Sequence, residues 1–350
     1  METLDLAGRL IGPGEPPYII AEIGSNHNGD MELCQRLIDA AKNCGADAVK
    51  FQSWSNSTLI SKAEYGRNTK YTDTKKHFGT LKEMVDRYQF TPEQHHEIAA
   101  YCNQHKITFL SSCFSIEEVD LLDSLDVLAF KVASMDVNHF PLLEYITSKK
   151  KPVILSTGMA TLGEIERALS ILRRDKSFPV ALLHCISLYP PPQALRTVKN
   201  IMTLQHTFDV PVGFSDHTLG TTIALAAIAS GACIIEKHFT LDKDMDGWDH
   251  SISANPDELE YIVREGRTVH TALGSTSRTV SKAEIEKRKK FRRRLVIRHS
   301  MKKGQTLHLE DLDFKRPGTG IHPDEWTDVI NRSLARDVSP DDELEWSDLI

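Results

Sequence analysis

The chain contains eight short apolar runs, rich in Val, Ile or Phe, that alternate with helix-like stretches. In order they are YIIAEIG from Tyr18, AVKFQS from Ala48, TFLSSCF from Thr108, VLAFKVAS from Val127, PVILSTG from Pro152, VALLHCI from Val180, VPVGFSD from Val210 and CIIEKHF from Cys233. Their near-continuous hydrophobicity is typical of strands buried on both faces of a parallel sheet. The intervening stretches carry apolar residues every three to four positions, as amphipathic crossover helices do. The sequence therefore predicts an α/β fold built on a (β/α)8 TIM barrel.

The strand–helix alternation stops near residue 275. The charged stretch SKAEIEKRKKFRRR follows, and we expect a helical linker over 276–292. Beyond it, a leucine leads twice to an Asp-Leu pair; the two copies are Leu295, Leu307, Asp311 and Leu312, then Leu334, Leu344, Asp348 and Leu349. These features predict a catalytic barrel over 1–275 and a small β-rich domain with pseudo-twofold character over 293–350.

The interval between the second and third runs, residues 54–107, is longer than the others and contains the polar segment AEYGRNTKYTDTKKHFG. Loops that follow strands build the mouth of a barrel. This insertion is therefore either an active-site lid or a surface excursion without contact to substrate.

Charge and cysteine usage limit the possible partners. Lys and Arg number 42 against 49 Asp and Glu, and the formal net charge of −7 argues against a general nucleic-acid or membrane binder. No apolar run approaches the roughly 20 residues of a membrane span, and the N-terminus lacks a signal-peptide pattern. The six scattered cysteines suit reduced thiols. We expect a cytoplasmic protein, with a catalytic thiol at Cys113 or Cys185 as an alternative.

Two histidines end neighbouring predicted strands: His217 in VPVGFSDHTLG and His238 in CIIEKHFTLDKD. Parallel barrel strands end at the same mouth, so the two imidazoles can meet there. Neutral imidazole is the commonest side-chain metal ligand, and two of them would hold a divalent ion with open coordination positions. The pair predicts a metal-assisted enzyme; the alternative for each histidine is a satisfied or exposed side chain.

Polar residues stand at the C-terminal ends of the apolar runs, where a barrel carries its active site. Lys50 and Lys131 are the most informative, because a lysine inside an apolar strand costs desolvation free energy unless it meets an anion. We predict that they bind a phosphate or carboxylate; ion pairs with Glu22 or Glu236, or Schiff-base chemistry as in an aldolase, are the alternatives. Compact serine hydroxyls suit phosphate oxygens. The full set is Glu22, Lys50, Gln52, Ser112, Lys131, Ser134, Asp136, Ser156, Ser187, Ser215, Asp216, Glu236 and His238.

The segment LDKDMDGWDHSIS downstream of His238 adds further candidates. Asp249 could orient a metal-bound water or act as a base, and His250 is either a third metal ligand or a structural residue. The spacing of the aspartates is not that of an EF-hand loop. Because the chain has no P-loop, GxSxG or HExxH motif, nucleotide hydrolysis, serine-esterase and zincin chemistry are disfavoured.

Successive blocks of the sequence resemble those of the sialic acid synthases. They are IAEIGSNHNGD, DAVKFQ, SSCFS, FKVASMD, PVILSTGMATLGEI, LLHCISLYPPP, GFSDHTLG and EKHFTLDKDMDGWDHSISANPDEL. KRPGTGI and the terminal repeat resemble the C-terminal antifreeze-like, or SAF, domain of that family. The resemblance extends in order over essentially the whole chain.

The resemblance implies condensation of phosphoenolpyruvate with the open-chain aldehyde of an N-acylated hexosamine, N-acetylmannosamine or a related diacetamido sugar. The products would be a nine-carbon 2-keto-3-deoxy acid and phosphate. His217 and His238 would hold a divalent metal, Mn²⁺ before Mg²⁺ or Co²⁺, that polarises the aldehyde as a Lewis acid. The implied partner is a second copy of the chain in a domain-swapped homodimer, in which Arg316 of the partner subunit reaches the N-acyl group.

The resemblance also distributes the substrate contacts. The phosphate and carboxylate of phosphoenolpyruvate would contact Lys50, Ser112, Lys131, Ser134, Ser156 and Ser215. The sugar or the attacking water would contact Glu22, Gln52, Asp136, Tyr189 and Asp249, with Glu22 and Asp249 as candidates for the catalytic base. Ser187 completes the substrate-binding set.

Some positions depart from the N-acetylneuraminate-forming pattern. Ser187 stands where asparagine often occurs, Asp136 where glutamate is common and Ser112 where threonine is common, and Trp248 adds bulk near Asp249. These changes leave the phosphate half of the site intact but affect the sugar half. A legionaminic, pseudaminic or other nonulosonic acid synthase is therefore an alternative.

Two other classes of protein remain open. A metal-dependent sugar-phosphate aldolase or isomerase could use the same histidines and lysines. A non-enzymatic alternative is that the basic run at 287–298, which includes Phe291, binds nucleic acid or a polyanionic glycan, although such runs usually form a solvated linker face.

Overall fold

The computed structural model describes residues 3–68, 79–174, 178–316 and 318–350. It divides the chain into two compact units, Met1–Gly274 and Ser275–Ile350. Among the described residues, no helix is both long enough and apolar enough to cross a membrane.

Eight parallel strands close into a barrel in the first unit, which confirms the predicted TIM-barrel fold. A short antiparallel hairpin of β1 (Leu4–Leu6) and β2 (Arg9–Ile11) precedes the barrel. The barrel strands are β3 (Tyr18–Gly24), β4 (Ala48–Ser53), β5 (Thr108–Cys113), β6 (Phe130–Val132), β7 (Val153–Ser156), β8 (Val180–Cys185), β9 (Val212–Asp216) and β10 (Ile234–His238). β10 pairs with both β9 and β3, so the sheet has no free edge. Each of the eight predicted runs contains one barrel strand.

Helices surround the barrel. They are α1 (Met31–Asn43), α2 (Lys62–Arg67), α3 (Leu81–Tyr88), α4 (Pro92–Gln104), α5 (Ile116–Ser124), α6 (Phe140–Ser148), α7 (Leu162–Leu172), α8 (Asn200–Phe208), α9 (Thr222–Ala229) and α10 (Pro256–Leu273). All of these helices except α2, which has no buried residue, bury apolar side chains. Several begin at clear capping signals: Thr161 and Glu164 form a reciprocal capping box at the start of α7, as Asn255 and Glu258 do at the start of α10.

The interior of the barrel is apolar at one end and polar at the other. At the N-terminal end, Leu4, Leu6 and Ile11 of the hairpin pack with inward-facing residues such as Ile20 and Leu110. Side chains of a strand alternate between its faces, so the next inward positions after these two residues are Glu22 and Ser112. The period of two therefore places a polar layer directly above an apolar floor.

The insertion between β4 and β5 packs beside the barrel mouth. Its residues Trp54 and Tyr88 are buried in an apolar cluster with Phe114, and the Trp54 ring lies edge-on to Trp248 at 6.4 Å between centroids. Residues 69–78, which hold much of the predicted lid, are outside the described part of the chain. Whether the insertion closes over substrate stays a prediction.

The second unit contains the exposed helix α11 (Lys282–Phe291), the antiparallel strands β11 (Arg294–Ile297) and β12 (Leu312–Lys315), and the short helix α12 (Trp326–Val329). The two copies of the Asp-Leu repeat form the same local structure. Asp311 and Asp348 each end a short 3₁₀ helix and accept a hydrogen bond from a backbone N–H at its start. The repeated leucines 295, 307, 312, 334 and 344 are buried together in one small core.

Candidate active site

A cavity of about 330 Å³ lies at the C-terminal ends of the barrel strands. Most of the residues predicted for the site line it, although each barrel strand contributes only one or two. The residues brought together are Glu22, Lys50, Gln52, Ser112, Lys131, Ser134, Ser156, Ser187, Tyr189, Ser215, His217 and His238.

Lys50 forms a buried ion pair with Glu22. Their Nζ and Oε2 atoms are 2.5 Å apart, and Nζ also lies 3.2 Å from the Ser112 hydroxyl. The other oxygen of Glu22 accepts a hydrogen bond of 2.7 Å from the Gln52 amide. Of the alternatives for Lys50, ion pairing with Glu22 is thus present in the structure.

Lys131 lies on the other side of a shared carboxylate. Its Nζ donates to the Ser156 hydroxyl at 2.6 Å and to the Val132 carbonyl at 3.1 Å. The Oε2 atom of Glu236 is 3.9 Å from the Nζ atoms of both lysines, and its Oε1 atom accepts a 2.9 Å hydrogen bond from Ser215. Two ammonium groups therefore share the site with two carboxylates, and each ammonium group also contacts a serine.

Burial and charge act in opposite directions on these carboxylates. Burial raises the pKa of Glu22 to about 7, against the attraction of Lys50. Burial would also raise the pKa of Glu236, but Lys131 and Lys50 outweigh it and lower that pKa. For Lys131 burial is the largest influence and lowers its pKa. Glu22 can therefore gain or lose a proton near neutral pH, whereas Glu236 stays ionised.

The two histidines meet as the sequence predicts. Their ring centroids are 5.5 Å apart, and the Tyr189 ring lies 4.1 Å from that of His217. Nδ1 of His217 lies 3.0 Å from the Ile186 carbonyl, which favours the tautomer with the Nδ1 proton and leaves Nε2 with a lone pair. Burial, followed by the charge of His217, holds the pKa of His238 well below its usual range, so this imidazole is neutral.

Comparison with known families identifies the fold and the enzyme type. The NeuB family model matches residues 37–278, and the SAF domain model matches residues 292–350. The chain belongs to the NeuB family. It is accordingly an enzyme, a transferase of the N-acetylneuraminate synthase type with a C-terminal SAF domain.

Relatives cover nearly the full length of this NeuB-family chain. An N,N'-diacetyllegionaminic acid synthase of Legionella pneumophila is 38% identical over 94% of this chain and 93% of its own length. Another from Campylobacter jejuni is 39% identical over 93% of this chain and 97% of its own. The crystal structure of an N-acetylneuraminic acid synthetase from Leptospira borgpetersenii, in complex with citrate, superposes with a TM-score of 0.74 at 33% identity, covering 82% of this chain and 96% of that one.

The histidine pair of this NeuB-family enzyme fits a divalent metal with two protein ligands. Within the described part of the chain, no cluster of three His, Cys, Asp or Glu side chains is arranged to hold a metal. However, Nδ1 of His238 is buried without a hydrogen-bond partner among the described residues, and Asp249 Oδ2 is 3.7 Å from it. Two neutral imidazoles would leave coordination positions open for substrate or water.

Some predicted residues lie outside the cavity lining. Asp136 lies in the turn after β6, with burial raising its pKa to about 6, and Asp249 lies beside His238. Arg316 belongs to the second unit, where its guanidinium stacks over Phe291 at 5.2 Å. Both ring nitrogens of His250 are engaged, by Thr240 and Asn28, so it is not a third metal ligand.

Two cavity residues of this NeuB-family enzyme were predicted from the sequence only in alternative roles, Cys185 as a catalytic thiol and Glu236 as the ion-pair partner of a lysine. Glu236 was considered only as an ion-pair partner, yet it stands between the two lysines. Cys185 lines the cavity with its Sγ 3.9 Å from His217 Nδ1, whereas Cys113 instead contacts the Lys131 carbonyl. The signal for both was available, because each lies two residues beyond an apolar inward-facing position of its strand.

Proposed function

We propose that this enzyme condenses phosphoenolpyruvate with the aldehyde of an N-acylated hexosamine and releases phosphate. The product would be a nine-carbon 2-keto-3-deoxy acid. The observation that carries the proposal is that one cavity combines two buried lysines with serine hydroxyls and a pair of buried histidines. Anion binding and carbonyl activation are the two tasks that this reaction requires of a site.

Lys50 and Lys131 would bind the phosphate and carboxylate of phosphoenolpyruvate, assisted by Ser112, Ser134, Ser156 and Ser215. In the structure the ammonium groups are compensated by Glu22 and Glu236. An arriving anion would compete with these carboxylates for the lysines. Because the pKa of Glu22 is near 7, Glu22 can respond by taking up a proton, which makes room for the substrate charge.

The same property supports Glu22 as the group that moves a proton during the reaction. As the enol carbon forms the new bond to the aldehyde carbon, the aldehyde oxygen must gain a proton and the phosphate-bearing carbon must gain water. A carboxyl with a pKa near 7 can donate and then accept a proton at neutral pH. Gln52 holds this carboxyl in place through the 2.7 Å hydrogen bond. Asp249 is the second candidate for the base.

His217 and His238 would hold the divalent metal, Mn²⁺ before Mg²⁺ or Co²⁺. When bound, it would supply Lewis-acid polarisation of the sugar carbonyl. The ring of Tyr189 packs against His217 and lies 6.1 Å from the ring of His238, so Tyr189 restricts the space around the pair.

For the sugar, we propose a 2,4-diacetamido hexose as the first candidate and N-acetylmannosamine as the second. The two synthases compared above that share 38% and 39% identity with this chain are both named for diacetyllegionaminic acid. Two residues in the sugar half of the site also differ from the N-acetylneuraminate-forming pattern. Asp136 is shorter than the glutamate common at its position, and Trp248 adds bulk near the mouth.

We further propose that the enzyme is a domain-swapped homodimer in which Arg316 contacts the N-acyl group of the sugar bound by the other subunit. Replacement by alanine should then raise the KM for the sugar and leave the KM for phosphoenolpyruvate unchanged. Equal effects on both substrates would contradict this role.

The location that we propose is the cytoplasm, where phosphoenolpyruvate is available.

The reaction is tested by incubating the protein with Mn²⁺ or Mg²⁺, phosphoenolpyruvate and a panel of N-acetylmannosamine and 2,4-diacetamido hexoses. Inorganic phosphate and 2-keto-3-deoxy acid are both measured. We expect both products in equal amounts with one sugar of the panel. Cleavage of a sugar phosphate without phosphoenolpyruvate would instead favour the aldolase alternative, and absence of phosphate release with every sugar would refute the synthase.

A further inference from the structure

The last two barrel strands carry three successive pairs of polar residues at their C-terminal ends, two in register across the strands and a third formed by the two histidines that follow. The register aligns Ser215 with Glu236 and Asp216 with Lys237, and the residues that follow are His217 and His238. Since side chains alternate between the faces of a strand, the first and third pairs face the cavity. The middle pair faces the opposite way, toward the helices.

This middle pair is a fully buried ion pair. Lys237 and Asp216 are each about 1% exposed, and Nζ lies 2.8 Å from Oδ2. Nζ also donates to the Thr218 carbonyl at 2.6 Å, while the Thr218 N–H donates to Oδ1 of Asp216 at 2.8 Å. These bonds attach to the residues immediately before and after His217, so they fix the backbone on both sides of it.

Stability alone does not explain two buried charges at this position. Removing both ions from water costs several kcal/mol each, and apolar residues of similar volume are often as stable or more stable in such places. The ion pair does provide hydrogen bonds of fixed direction between the ends of β9 and β10, next to the histidine of each strand. Lys237 is covalently adjacent to His238, and its ammonium group holds both neighbours of His217.

We propose that Asp216 and Lys237 are positioning residues that set the separation and orientation of His217 and His238 for metal binding. The inference rests on the proposed function, because it requires that the histidines bind a metal. Groups that orient metal ligands from outside the coordination sphere typically contribute 10- to 100-fold to metal affinity. The pair should therefore act on the metal dissociation constant more than on folding.

The test is a Mn²⁺ titration of the full-length, chelator-treated protein, followed by electron paramagnetic resonance of the free ion. The variant D216N/K237M removes both charges together and keeps an oxygen that can accept from the Thr218 N–H. We expect it to melt close to the wild type and to bind Mn²⁺ about 10- to 100-fold more weakly. As a matched control, R9M/D47N removes an ion pair with a separation of 3.5 Å at the other end of the barrel and should keep wild-type affinity for Mn²⁺.

The outcomes separate this inference from the function on which it rests. Wild-type protein that does not bind Mn²⁺ would overturn both the metal role of the histidines and this inference. Binding by the wild type with unchanged affinity in D216N/K237M would overturn the positioning role alone and leave the proposed function standing. If the double variant does not fold, the single variant D216E decides, since it keeps both charges paired and displaces only the carboxylate. A several-fold loss of affinity supports positioning, and no loss contradicts it.

Discussion

Acidification should weaken the barrel through His27, which lies in the loop after β3. Its ring is about 1% exposed and stacks on Phe90 of the insertion at 3.9 Å. Burial, together with the nearby His95 and His250, lowers its pKa from 6.5 to about 3. His27 is therefore neutral in the folded protein over the pH range in which the unfolded chain binds a proton.

The size and sign of the effect follow from this difference. The contribution of His27 to the free energy of unfolding is fully present above pH 6.5. It is lost as the pH falls toward 3, because over this range only the unfolded state takes up the proton. At 1.36 kcal/mol for each pKa unit, this group alone costs about 2 kcal/mol of unfolding free energy between pH 7.5 and pH 5.0. The contact with Phe90 links this loss to the region where the insertion meets the barrel.

Urea denaturation at the two pH values, followed by tryptophan fluorescence, measures the effect. We expect H27Q to be less stable than the wild type at pH 7.5 but to lose about 2 kcal/mol less on acidification. H206Q alters an exposed histidine on α8 and keeps His27, so it should follow the wild type. Parallel pH dependences for H27Q and the wild type would refute the reasoning.

Four further substitutions test the active site. H217A and H238A should each abolish metal-dependent turnover while the circular dichroism spectrum stays that of the wild type, because each removes one of two imidazoles. K131M should raise the KM for phosphoenolpyruvate by about 10- to 100-fold, the loss expected when one hydrogen bond to a charged group is removed, and borohydride should trap no adduct on the wild type. G158A should lower kcat/KM, measured with saturating metal, because a β-carbon at this position would collide with the Ser134 and Ser187 hydroxyls.

Each of these tests has a contradicting result. Wild-type turnover in either histidine variant would remove the pair from the mechanism. A borohydride-trapped adduct at position 131 would favour the Schiff-base alternative over anion binding. G163A, which changes a glycine in α7 with open space around its β-position, is the control for G158A, and equal losses in both variants would assign the effect to the backbone instead of the cavity.

The fold could be predicted from the sequence because the signals that define each strand and helix lie within that segment of the chain. Each barrel strand is a buried apolar run with its own boundaries, and each helix has its own periodicity and caps, as Thr161 and Glu164 show for α7. The polar layer above the apolar floor also follows from the period of two within each strand. This is why the set of residues at the barrel mouth could be named before any distance was known.

The partners within that set could not be predicted in the same way. Lys50 could have paired with either carboxylate, and the structure places it 2.5 Å from Glu22 and 3.9 Å from Glu236. His250 stands twelve residues after His238 in the sequence, but its ring nitrogens are satisfied by Thr240 and Asn28. No sequence pattern distinguishes these outcomes, because they depend on side chains that approach from different strands and loops.

The sequence by itself thus determined the barrel, its polar mouth and the two histidines at the C-terminal ends of the last two barrel strands, His217 directly after β9 and His238 as the last residue of β10. Only the tertiary structure decided that Glu236 lies between the lysines and that Asp216 and Lys237 join behind the histidines. The physical reason is that alternation along one strand fixes which way a side chain faces. The pairing of charges across strands is instead fixed by the register of the closed sheet, which brings together residues that are distant in the chain.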